Sequence, residues 1–98
     1  MTRTLDPEGA HAAAVRSLVD LRGLDVLEVG CGEGRLTFEL AREARSWLAT
    51  DPSAEYVAEA RRVVPAELEG VVRIPVAGGT EIEGHEAEFD LVFFSWSL

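Results

Sequence analysis

The densest chemistry in this sequence lies in Glu28-Val29-Gly30-Cys31-Gly32-Glu33-Gly34, three glycines at alternate positions behind the apolar pair Val26-Leu27. Glycine tolerates the sharp bends of a strand-to-helix turn and lets a ligand approach where a Cβ would collide. The G-x-G-x-G spacing is one residue tighter than the G-x-G-x-x-G of dinucleotide sites. Asp51 stands 21 positions after Gly30, where the next strand should end, and a carboxylate there can accept both hydroxyls of a ribose. Together these residues point to a site for a nucleoside cofactor that carries no pyrophosphate.

Such a turn needs a strand before it and a helix after it. The apolar run over 24–29 predicts the strand, and Leu36, Leu40 and Ala44 mark one face of a helix over 34–45. A second strand over 46–50 ends at Asp51-Pro52, and Ser53 caps a helix with Val57, Ala60 and Val64 on its inner face, stopped by Pro65. A third strand is expected over 71–76, where Pro75 marks an edge position, and a fourth over 89–96 after a Gly- and Glu-rich loop. Ahead of them all, Asp6-Pro7 opens a helix whose stripe is Ala12, Val15, Leu18 and Val19, closed by Arg22-Gly23. Strands alternating with helices of this length imply right-handed β-α-β crossovers. The expected fold is α/β: a Rossmann-like three-layer α/β/α arrangement, helices on both faces of a parallel sheet of strand order 3-2-1-4, truncated after the fourth strand. That order puts the glycine turn and Asp51 at the carboxyl ends of the strands, beside a topological switch point, where open α/β sheets bind ligands.

The composition bounds the rest. Ninety-eight residues make one small domain, and 47% hydrophobic content is enough to fold it. All nine basic residues are arginines, scattered among eighteen acidic residues, for a net charge of −9. A negative surface without a basic patch argues against nucleic acid as a partner of this segment. A single cysteine makes neither an internal disulfide nor a metal site. With no basic-then-apolar leader and no apolar run of membrane-spanning length, the expectation is a cytoplasmic protein with no membrane contact.

The stretch from Val26 to Arg35 closely resembles the first motif of class I S-adenosylmethionine-dependent methyltransferases. Asp51-Pro52-Ser53 resembles that family's second-strand acidic motif, and Phe89-Asp90-Leu91-Val92 its fourth strand. The resemblance covers about 6–98, and it implies one partial S-adenosylmethionine-binding domain over 1–98. It also implies roles. Glu28 and the backbone of Val29, Gly30, Cys31, Gly32, Glu33 and Gly34 would hold the methionine portion, Glu28 meeting its amino group and the helix N–H groups its carboxylate. Asp51 would take the ribose hydroxyls, Pro52 would pack on the adenine side, and Ser95 would touch the amino-acid end. Family members often carry an aspartate for the adenine amino group where this chain has Gly78, so Gly78 and Gly79 would offer backbone N–H groups instead.

The implied activity is methyl transfer from S-adenosylmethionine to an unknown acceptor, an in-line displacement that needs position rather than a catalytic side chain, and none is assigned. One rival is a truncated, non-catalytic cofactor-binding domain. Another is an NAD(P)-dependent oxidoreductase, against which the glycine spacing counts. Cys31 has no histidine placed to activate it and reads as a packing residue. Glu81, Glu83, Glu86 and Glu88 read as a solvated acidic loop, so no metal is expected. Asp90 reads as structural. The fourth strand is apolar on both faces, and with nothing following it its outer edge would be open. That edge predicts self-association through strand addition.

Overall fold

The computed structural model describes residues 3–5, 12–32, 34–75 and 88–94. The described residues form five strands: β1 (Arg3–Leu5), β2 (Asp25–Val29), β3 (Ser46–Thr50), β4 (Val72–Arg73) and β5 (Leu91–Phe94). Every neighbouring pair is parallel, and the spatial order is β1-β5-β2-β3-β4. The four strands anticipated from the sequence therefore stand in the anticipated order, with one strand more. Helix α1 (Ala12–Leu18) precedes β2, α2 (Arg35–Leu40) links β2 to β3, and α3 (Ala54–Arg62) follows β3.

The added strand overturns one expectation. The outer edge of β5 is not open: Arg3, Thr4 and Leu5 pair with Leu91, Val92 and Phe93. Self-association through that edge loses its physical basis, since the N–H and C=O groups meant to recruit a second chain face β1 instead. Among the described strands the sheet ends on a three-residue one, and short edge strands are poor templates for pairing.

β2 lies between β3 and β5, and so is buried on both faces. Val26 and Leu27 are sealed, as expected of a central parallel strand. By the alternation of strand side chains, Val26, Trp47, Leu91 and Phe93 share one face. They form a single cluster with Val15 and Val19 of the α1 region, Leu40 of α2, and Val57 and Ala60 of α3. The Trp47 and Phe93 rings meet edge to face, with centroids 6.5 Å apart. All the described helices thus pack on one face of the sheet. Among the described residues no helix covers the other face.

Three boundaries differ from expectation for local reasons. α1 stops at Leu18, because the Asp20 carboxylate accepts the Arg22 N–H at 3.1 Å and turns the chain early. Leu18 is consequently half exposed rather than in the core. α2 tightens into a 3₁₀ turn over Ala41–Glu43. β4 is two residues long rather than six, since Pro75 has no N–H to continue the ladder to β3. α3 starts as predicted, Ser53 Oγ accepting the Tyr56 N–H at 3.3 Å.

The amino ends of the strands are clamped by charge. Asp25 accepts from the Arg45 guanidinium and, at 2.6 Å, from the Ser46 hydroxyl, while Asp90 accepts the Asp25 N–H at 2.8 Å. Asp90 is thereby structural, at the end of the sheet opposite the glycine turn. The Arg45 hydrogen bond first, and the Ser46 hydroxyl second, hold the Asp25 carboxyl at about 2. A depressed carboxylate stabilises the fold at and above its ordinary value, and that stabilisation is lost as pH falls from about 4 towards 2. Carboxyl resonances followed by NMR should show Asp25 titrating near the lower figure, and Arg45→Ala should raise it. An ordinary Asp25 titration in the unmodified protein would remove the clamp from the account.

Candidate functional site

β2 and β3 end side by side, and the turn after β2 is stitched to the end of β3. The carbonyl of Thr50 accepts both the Gly30 N–H, at 2.8 Å, and the Cys31 N–H, at 3.0 Å. The Thr50 hydroxyl returns a bond to the Glu28 carbonyl at 2.9 Å. Asp51 completes the stitching from the side chain. One carboxylate oxygen accepts the Gly32 N–H at 2.9 Å, and the other accepts the Ser53 N–H at 2.8 Å. The turn can follow this path because Gly30, Gly32 and Gly34 all have positive φ, at 88°, 59° and 89°, a region that other residues enter at a cost of about 1–3 kcal/mol. Gly34 has a second constraint: a Cβ there would stand 2.8 Å from the Phe38 ring.

The first α-helical bond of α2 runs from the Phe38 N–H to the Gly34 carbonyl, at 2.9 Å. The N–H groups of Arg35, Leu36 and Thr37 come before it in the helix, in the first turn, where N–H groups point out of the helix end. The carboxyl ends of β2 and β3, the glycine turn and the start of α2 therefore converge on one place. Gly30, Cys31, Gly32 and Asp51 are brought together there, with the exposed Pro52 beside them. Val29 forms the last residue of β2, and Gly34 the N-cap of α2. Glu33, Gly78, Gly79 and Ser95 lie outside the described residues.

Glu28 is placed elsewhere. Its side chain is 0% exposed, and one carboxylate oxygen accepts the Thr37 hydroxyl at 2.5 Å and the Trp47 indole N–H at 2.8 Å. The carboxylate belongs to the floor beneath α2, tying that helix to β3, rather than to the open end of the sheet. These two bonds give Glu28 a structural role. Thr37 and Trp47, the two donors, went unremarked in the sequence as polar partners. The signal was there: an ionisable residue inside a strand buried on both faces must find buried donors.

Burial pushes the Cys31 thiol up to about 12, helped by the nearby negative charges of Glu28 and Asp51. A thiol so raised is protonated at neutral pH and a poor nucleophile. Cys31 is accordingly expected to resist a maleimide at about pH 8 in the native protein and to react at once in denaturant. Rapid native labelling would contradict the packing role.

Residues 26–98 match the family described as Methyltransferase domain. The chain belongs to that family. This methyltransferase domain is also 37% identical over 79 residues to the magnesium-protoporphyrin O-methyltransferase of Rhodobacter capsulatus, a match covering 81% of the chain and 34% of the relative. The chain thus spans about a third of the length of that curated relative. The matched region includes the glycine turn, Asp51 and β5, so the resemblance of the first motif to class I S-adenosylmethionine-dependent enzymes is borne out at the level of the family. No helix among the described residues of the methyltransferase domain is long and apolar enough to cross a membrane.

Proposed function

We propose that this segment is the cofactor-binding portion of an S-adenosylmethionine-dependent methyltransferase, with the cofactor seated across the glycine turn and Asp51. The observation that carries the reading is the Asp51 bridge. A nearly buried carboxylate at the end of β3 is held by the Gly32 and Ser53 N–H groups, one on each oxygen. A carboxylate has about four acceptor positions, so two remain for a pair of ribose hydroxyls. The residues fit the cofactor in other respects too. The N–H groups at the start of α2 suit its carboxylate, and the negative charges of Glu28 and Asp51 that are felt at Cys31 suit a ligand bearing an ammonium and a sulfonium. Pro52, and Gly78, Gly79 and Ser95, keep the adenine-side and amino-acid-side roles that the family resemblance implies.

Bound there, S-adenosylmethionine supplies an activated methyl group. The chain's own part is to hold the nucleoside and amino-acid ends so that the methyl faces an acceptor, whose identity we leave open. A cytoplasmic setting is part of the same proposal, supported by a single cysteine that is buried and unpaired. Calorimetry with S-adenosylmethionine, S-adenosylhomocysteine and NAD tests the assignment. The two methionine-derived ligands should bind and NAD should not compete. Tighter binding of NAD would sink the proposal and favour the oxidoreductase reading.

A further inference from the structure

We propose that an open groove along the outer edge of β4 binds an organic oxyanion, a carboxylate or phosphate carried on an apolar body. The groove has a volume of about 520 Å³, and Arg61, Arg62 and Arg73 line it together with the apolar Leu48, Val72 and Ile74. Small-molecule sites fall in this size range and combine apolar walls with a few charged groups. The groove is separate from the glycine turn. Arg61 and Arg62 close α3, whereas Asp51 and Ser53 lie before its first residue, and nine helical residues span about 13 Å. The proposal does not depend on the cofactor assignment.

The distribution of charge argues for a ligand. The chain carries twice as many acidic residues as arginines, so carboxylate partners are plentiful. Arg16, Arg22, Arg42, Arg45 and Arg62 each have one. Among the described residues Arg35, Arg61 and Arg73 have none, and the last two face this groove. Arg61 donates only to the Ile74 carbonyl, at 3.1 Å, and Arg73 has no hydrogen bond or ion pair among the described residues. Glu69 also lines the groove, yet it pairs with neither. Two guanidinium groups beside apolar side chains, paired with no carboxylate among the described residues, present planar donor forks of the geometry that carboxylates and phosphates accept.

An added β-strand is the other occupant that an open sheet edge invites, and β4 offers it a template of only two residues. Arg61 occupies the Ile74 carbonyl, and Pro75 has no N–H to offer. What remains is recognition by side chains. The apolar residues would take the ligand's body, and the guanidinium groups its head.

The test is an amide-resolved NMR titration of the full chain with octanoate, octyl phosphate, octanol and inorganic phosphate. Octanoate or octyl phosphate should shift the amides of Leu48, Val72, Arg73 and Ile74 saturably, and the stronger of the two identifies the head group. Octanol and inorganic phosphate should each bind at least about tenfold more weakly, since each lacks one half of the recognition. Arg73→Gln, a surface change, should weaken the amphiphile about tenfold, and adding Arg61→Gln should weaken it further. No saturable shift at these amides would overturn the proposal. So would an unchanged affinity in Arg73→Gln, or inorganic phosphate binding as tightly as octanoate. Shifts confined to Gly30, Cys31 and Gly32 would assign the ligand to the cofactor site and also overturn it.

Discussion

Glu28→Ala is expected to destabilise the domain by about 3–5 kcal/mol, enough to unfold much of it at room temperature. The carboxylate is sealed in the core and serves two buried donors, the Trp47 indole N–H and the Thr37 hydroxyl. Removing it strands both, at about 1–3 kcal/mol each, and leaves a cavity below α2. Glu28→Gln should recover most of the loss. Its amide oxygen can accept the indole N–H while the Thr37 hydroxyl rotates to accept from the amide nitrogen. Urea unfolding followed by tryptophan fluorescence separates the two variants. Equal midpoints for Glu28→Ala and the unmodified protein would show that the buried triad contributes nothing.

Asp51→Ala should cost at least about tenfold in affinity for S-adenosylmethionine, because charge-assisted hydrogen bonds to the ribose are worth roughly 1.5–3 kcal/mol each. The structure adds a second effect to this first one. Asp51 also holds the Gly32 and Ser53 N–H groups, so the variant should lose stability by about 1–3 kcal/mol as the glycine turn detaches from β3. Asp51→Asn divides the two. Its carbonyl oxygen can keep the Ser53 N–H, but its amide nitrogen cannot accept from Gly32. Its stability should lie between those of the other two proteins, with affinity close to that of the alanine variant. Calorimetry on folded protein decides the first effect and thermal melts the second. A folded Asp51→Ala that binds with full affinity would move the ribose elsewhere.

The parts of the fold that could be read in advance are those where local chemistry and burial agree. β3 has its anticipated bounds because Asp51-Pro52 ends it sharply, and α3 starts where Ser53 can cap it. The sheet order followed from the alternation of strands and helices. β1 was missed because Arg3-Thr4-Leu5 has no run or alternation long enough to declare a strand. Those three residues are a strand only because β5 offers them an edge, a tertiary cause that no local pattern carries. β4 was overestimated because Pro75, read as the mark of an edge strand, also lacks the N–H that would continue the ladder to β3.

The candidate site divides in the same way. The glycine turn and Asp51 were legible from residue type and spacing, and the geometry adds that they are bonded to each other. Glu28 was placed in the correct element, and its buried partners Thr37 and Trp47 were not read. Spacing identifies a residue near a ligand, but the face of the strand decides whether its side chain reaches one.

The pairing of Arg3 with Leu91 sets a schedule for folding. β5 sits between β1 and β2 in the finished sheet, yet it is the last of the described strands to be synthesised. Until it arrives, β1 has no neighbour among the described strands, and none of them covers one side of β2. Joining these distant segments closes almost the whole chain into a loop, and the entropy of closure falls due before its contacts reward it. Sheet completion is therefore the slow and late event, and a nascent or C-terminally clipped chain would show its partners the bare flank of the strand that leads into the glycine turn.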